Sequence, residues 1–137
     1  MAKPFYPLPA PGDIVWCKFP SHANLGEPGP KSRPALVVRV SDLDHEVVIA
    51  YGTSQKTQTL YPGEFSLSPS DGDAYQMSGL GAETKFDVGR TVQLPFDTDW
   101  FGEHKSVHAS SPLPKMGTIH PSYMPAILKA LKALKKT

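Results

Sequence analysis

Proline recurs so often along this chain that a mainly helical fold is disfavoured: 15 prolines and 11 glycines are spread over 137 residues. Each proline removes a backbone donor, and each glycine inside a helix costs about 1 kcal/mol relative to alanine. Short strands joined by turns are the architecture such a chain can adopt. Its length is that of one domain, enough to bury a single core. The first eleven residues carry four prolines and no periodicity, which predicts an extended arm over 1–11 ending at the turn dipeptide Pro11-Gly12, with one domain over 12–137.

The strands are legible as apolar runs. Asp13 to Phe19 contains Ile14, Val15, Trp16, Cys17 and Phe19, a pattern expected of a strand buried on most of both faces. Pro34–Val40 and Val47–Tyr51 are two more, joined by the turn residues Ser41-Asp42-Leu43-Asp44, so the three make an antiparallel meander. Between the first two lies Pro20–Ser32, a Pro/Gly-rich surface loop of a length that often carries function. The stretch from Gln55 to Tyr75 supports only short strands. Thr84–Val88 and Arg90–Leu94 form strands around Gly89, which marks a bulge or a turn. Asp97–Pro114 reads as irregular.

The last segment changes character. Met124, Ile127, Leu128, Leu131 and Leu134 recur at three- and four-residue spacing, with lysines mostly elsewhere, which predicts an amphipathic helix over 122–135. Ser122 is the expected N-cap, Pro125 is tolerated in the first turn, and Leu131 and Leu134 are expected to be buried. A helix sealing one face of a small barrel is the simpler reading; the same stripe could also serve a partner or a membrane surface. The fold class is therefore mainly β with a C-terminal helix, a five- to seven-stranded open barrel.

Lys and Arg number 14 against 13 Asp and Glu, so any site for a polyanion must be local rather than a property of the whole surface. Cys17 stands alone, which excludes an intramolecular disulfide, and zinc-type ligands at close spacing are absent, so no metal is expected. The N-terminus has no secretory apolar region, and no stretch approaches the roughly 20 apolar residues of a membrane span. A cytoplasmic protein without a membrane partner is the expectation.

Three stretches in order resemble the MazF/PemK family: Gly12-Asp13-Ile14-Val15-Trp16, then Lys31-Ser32-Arg33-Pro34-Ala35-Leu36-Val37-Val38, then Tyr51-Gly52-Thr53-Ser54. Lys85-Phe86-Asp87 ahead of Arg90 is similar to the family's closing strands, and Met116-Gly117-Thr118-Ile119 to the approach to its terminal helix. The resemblance implies an SH3-like small barrel of the CcdB/MazF/PemK type, found in bacteria. It further implies a homodimeric toxin of a type II toxin-antitoxin system, an mRNA interferase that cleaves single-stranded RNA without a cofactor and is restrained by a cognate antitoxin. The MazF-type pair, an Arg opening the second strand and a Thr closing the third, is present as Arg33 and Thr53. The Arg and Asp assigned to catalysis in the Kid branch have no counterpart in Gly79-Leu80-Gly81-Ala82.

Cleavage through the 2′-hydroxyl needs a proton acceptor, a group that stabilises the phosphorane, and a donor for the leaving 5′ oxygen. Arg33 suits stabilisation, because a guanidinium stays charged and presents a rigid fork of donors. Thr53 can hold a phosphate oxygen, and a turn stabilised by its own hydroxyl is compatible with that role. His22, in the first loop, is a candidate acceptor. Lys31, Ser54, Gln55 and Trp16 are the expected substrate contacts, with Phe19, Tyr51 and Trp100 the other aromatics on which bases could stack. His45, His104, His108 and His120 receive no role. The alternative is a binding module on the same barrel, either a non-catalytic one that keeps only partner binding, such as to the antitoxin, or one like the CcdB relatives that act on DNA gyrase through the C-terminal helix; the latter requires terminal-helix residues facing solvent, including an exposed aromatic.

Overall fold

A computed structural model describes residues 2–21, 23–103 and 113–135. The strands are β1 (Asp13–Cys17), β2 (Arg33–Ser41), β3 (Glu46–Thr53), β4 (Glu64–Leu67), β5 (Thr84–Pro95) and β6 (Lys115–Thr118). A short helix, α1 (Asp73–Met77), lies between β4 and β5, and α2 (Met124–Lys135) closes the chain. The strands form one antiparallel sheet in the order β4-β5-β3-β2-β1-β6. Register shifts in three of its pairs bend it, since a bulge adds local twist to the strand that carries it. The expected small, mainly β architecture with a terminal helix is what forms.

Both faces of the sheet are covered, which is why β1 to β3 read as nearly continuous apolar runs instead of alternating ones. On one face Ile14, Leu36, Ala50, Phe65 and Phe86 pack with Tyr123 and Ala130, beneath α2. On the other, Val15, Cys17, Ala35, Val37, Val47 and Ile49 pack with Phe96 and Phe101. The N-terminal arm helps to cover this second face: Phe5 and Leu8 pack against it, the Phe5 amide donates to the Phe96 carbonyl (3.0 Å), and the His45 imidazole donates to the Phe5 carbonyl (2.8 Å). The arm is docked against the domain. Burial among apolar side chains pushes the Cys17 thiol well above its ordinary value of 9.0.

Several boundaries differ from the sequence reading. The first strand stops at Cys17, because Lys18 leaves the sheet to bond Trp100 and Gly29 through its amide and carbonyl. The two strands predicted around Gly89 are one twelve-residue strand, β5, with the bulge inside it. Ser122 is not the cap: His120 is, its side chain accepting from the Ser122 amide at the start of a 3-10 turn (Pro121–Tyr123) that leads into α2. Leu131 is 41% exposed rather than buried, and Met124 and Leu128 are exposed beside it. The line of the helix that packs on the core runs instead through Ala126, Ile127 and Ala130, with the small side chains of the two alanines letting it lie close to the sheet. Among the described residues no helix is long and apolar enough to cross a membrane.

Candidate functional site

The site lies where β2 begins and β3 ends. Ala35 pairs with Tyr51, and two residues further along each strand stand Arg33 and Thr53. Gly52, between Tyr51 and Thr53, is required by this approach: a Cβ there would sit 2.4 Å from the Pro34 carbonyl oxygen and 2.7 Å from the Phe86 ring. No other residue lets β3 close this tightly on β2.

β5 supplies the third side. Tyr51 pairs with Asp87 and Ala50 with Thr91, so Val88, Gly89 and Arg90 are the extra residues of a wide bulge. The Asp87 carboxylate accepts the Gly89 amide (2.8 Å) and holds the bulge in shape. Its effect is to aim Arg90 back across β3. The Arg90 guanidinium lies 4.0 Å from the centroid of the Tyr51 ring and 5.4 Å from that of Phe19, and the Arg33 guanidinium lies 5.7 Å from the same Tyr51 ring. Phe19 meets Tyr51 edge-on at 5.2 Å. The ring of Tyr51 therefore carries two cations, each attracted to its π cloud.

Neither arginine has a carboxylate partner among the described residues. Two guanidinium groups set around one aromatic ring without a counter-anion repel each other, and an incoming anion relieves that repulsion. The arrangement suits a phosphate, which a guanidinium fork grips through two oxygens. Thr53 is 8% exposed and its Oγ1 accepts the Gln55 amide (3.1 Å), so the hydroxyl proton is left to donate. The turn reading and the ligand-holding reading of Thr53 are thus compatible.

The other residues singled out in the sequence distribute as follows. Lys31, Ser54 and Gln55 are exposed. Trp16 is half-buried and, with Ser54, lines a recess of about 190 Å³ bounded by Pro34, Leu80, Gly81, Ala82, Thr84 and Met116. Trp16 pairs with Pro34 and Cys17 with Arg33, so Trp16 belongs to the face opposite Arg33. His22 lies outside the described residues. Trp100 packs against the apolar core of the Arg33 face. The Arg90–Tyr51 stack is the feature that sequence reasoning missed; its signal was the Asp87-Val88-Gly89-Arg90 spacing, in which Asp and Gly build the bulge.

Lys85, in the same strand, is not part of this cluster. It is buried, and its Nζ donates to the Glu64 carboxylate and the Thr59 carbonyl, both at 2.9 Å. These bonds fasten the 59–64 corner to β5. The aromatic that a gyrase-type binding helix would expose is absent from α2, and Tyr123, just before it, is buried with its hydroxyl donating to Asp71 (2.7 Å).

A curled antiparallel sheet with a closing helix, and two arginines gathered on one tyrosine ring at its end, define the class as a small, mainly β barrel. The chain belongs to the PemK-like, MazF-like toxins of type II toxin-antitoxin systems, whose family pattern matches residues 10–95. Among solved structures it is similar to an endoribonuclease from mycobacterial species, at 18% identity and a TM-score of 0.54, over 96% of this chain and 95% of that one. That likeness establishes the fold. No curated protein matches the sequence.

Proposed function

We propose that this protein is a toxin that cleaves single-stranded RNA, with Arg33, Arg90 and Thr53 gathered on the scissile phosphate. The observation that carries the reading is the pair of arginines around Tyr51 that have no acidic partner among the described residues, in a chain whose family is that of toxins. The 2′-oxygen loses its proton and attacks the neighbouring phosphorus, and the 5′-oxygen leaves and takes a proton from solvent water, giving a 2′,3′-cyclic phosphate and a free 5′-hydroxyl. Charge gathers on the non-bridging oxygens as the phosphorane forms, and two fixed guanidinium groups stabilise it there without reorganising. Thr53 donates its free hydroxyl proton to one of these oxygens. Two groups can take the 2′ proton: Asp87, across the β3–β5 pair from Tyr51, and His22, in the loop ahead of β2. Whichever of Asp87→Asn and His22→Gln abolishes the acid limb of the pH–rate profile identifies it.

The same reading makes the protein a cytoplasmic homodimer with a cognate antitoxin. The exposed Met124, Leu128 and Leu131, beside a groove of about 510 Å³ between α2 and the sheet, are available for such contacts. The test is incubation of end-labelled single-stranded RNA with the protein in excess chelator, beside Arg33→Ala. Discrete cyclic-phosphate fragments from the wild type alone are expected. Intact RNA with wild type, or equal cutting by the variant, overturns the assignment.

A further inference from the structure

The recess beside Trp16 is not used by the cleavage chemistry, and its position gives it a use. Its rim shares two strand ends with the arginine cluster: Pro34 follows Arg33 in β2, and Ser54 follows Thr53 at the end of β3. The two sites lie on consecutive rungs of the β1–β2 pair, Cys17–Arg33 for the phosphate cluster and Trp16–Pro34 for the recess, and on opposite faces of the sheet. A flexible strand held at Arg33 and turning round the end of the sheet meets the recess next.

The recess is mainly apolar in lining, with an indole on one side, Leu80 and Met116 contributing to its walls, and the hydroxyls of Ser54 and Thr84 as its side-chain polar groups. At about 190 Å³ it is somewhat larger than the roughly 150 Å³ cavity that accepts benzene, and well below the roughly 300 Å³ at which pockets for larger ligands begin. One planar ring system fits. An indole beside an apolar slot, next to a phosphate-binding cluster, is the combination by which single-stranded nucleic acids are held, one base stacked for each phosphate gripped.

We infer that the recess lined by Trp16, Ser54, Leu80 and Gly81 takes the nucleobase next to the phosphate held by Arg33 and Arg90, and that it sets base preference at that position. The inference rests on single-stranded RNA being the ligand. Gly81 gives a way to close the recess without disturbing the fold, since a Cβ there meets nothing within 4 Å and the residue is exposed.

The experiment uses the full chain with Trp100→Phe, which leaves Trp16 as the single tryptophan, and short 2′-O-methyl RNA oligonucleotides that cannot react. Binding is followed by anisotropy of an end label and, separately, by Trp16 emission. An intact oligonucleotide is expected to bind and quench Trp16. Moving one abasic residue along it should find a single position where quenching is lost and affinity falls about tenfold, within the range for removing one stacked base. Gly81→Leu should lower affinity for the intact oligonucleotide similarly and become indifferent to the abasic position. Binding without quenching, a flat abasic scan, or an unaffected Gly81→Leu overturns the inference while the ribonuclease reading stands on its own cleavage assay. Normal quenching and scan, with no cutting of unmodified RNA, leaves the base site in place and removes the ribonuclease reading. No binding at all overturns both.

Discussion

Replacing Arg90 by methionine removes its charge while keeping an apolar side chain over Tyr51, and so separates the stability of the cluster from its chemistry. Stacked at 4.0 Å on a half-buried ring, the guanidinium contributes about 1 kcal/mol through its cation–π contact. A methionine thioether recovers part of this against the same ring. The variant should therefore unfold within about 1 kcal/mol of wild type, a shift of a few degrees in Tm for a domain this size. Cleavage should respond far more. One preorganised donor on developing phosphorane charge is worth about 100-fold or more in rate, so kcat/KM on single-stranded RNA should fall by about 100-fold. Binding to an uncleavable RNA should also lose about 0.7 from its log–log salt slope, the value for one phosphate contact on a single strand. If Arg33 and Arg90 grip one phosphate, the double variant should lose less than the product of the single losses. Cleavage within threefold of wild type together with an unchanged salt slope would refute the two-arginine site.

Gly52→Ala should destabilise by about 3 kcal/mol or more in urea unfolding, because the new methyl meets a backbone carbonyl at 2.4 Å that cannot rotate away; a change under 1 kcal/mol would contradict the close β2–β3 approach. Lys85→Met should cost about 3 kcal/mol by leaving the part-buried Glu64 carboxylate without its ammonium partner, and adding Glu64→Leu should restore most of it; failure of the double variant to recover would show that the loss does not come from an unpaired carboxylate. The Cys17 thiol of native protein should resist a disulfide reagent at pH 8 and react fully in denaturant. Because its folded pKa is raised, its contribution to stability is complete below pH 9 and declines by about 1.4 kcal/mol per pH unit as the unfolded thiol ionises above that; reducing-condition melts at pH 8 and 10 in wild type and Cys17→Ala isolate it.

Strand identity was legible because apolar β-formers and turn residues act locally: the cores of β1, β2 and β3 stand where Ile14–Cys17, Pro34–Val40 and Val47–Tyr51 predict them. Helix α2 was legible from its spacing, but its orientation was not. Met124, Leu128 and Leu131 form a stripe as apolar as the buried one, and the contact geometry of Ala126 and Ala130 decided which line faces the sheet. The His120 cap was hidden for a similar reason, since a histidine accepting from a backbone amide has no compositional mark.

The site divides along the same line. Arg33 and Thr53 were proposed from the resemblance of their surroundings to the MazF/PemK family, and they stand near one another because β2 and β3 pair antiparallel. Arg90 was not, because its position depends on how many residues of β5 go unpaired opposite Ala50 and Tyr51. With Tyr51 opposite Asp87, an unbulged strand would pair Ala50 with Val88 and Val48 with Arg90, three rungs from the ring that Arg90 covers; three inserted residues bring it back. That register is set by Gly89, whose Cβ would meet Leu134 of α2 at 2.8 Å, and by the Asp87 carboxylate that binds its amide. A contact between the terminal helix and one glycine thus helps to decide whether a second cation reaches the Tyr51 ring. Enlarging Gly89 should lower cleavage through Arg90 even though Gly89 touches no substrate.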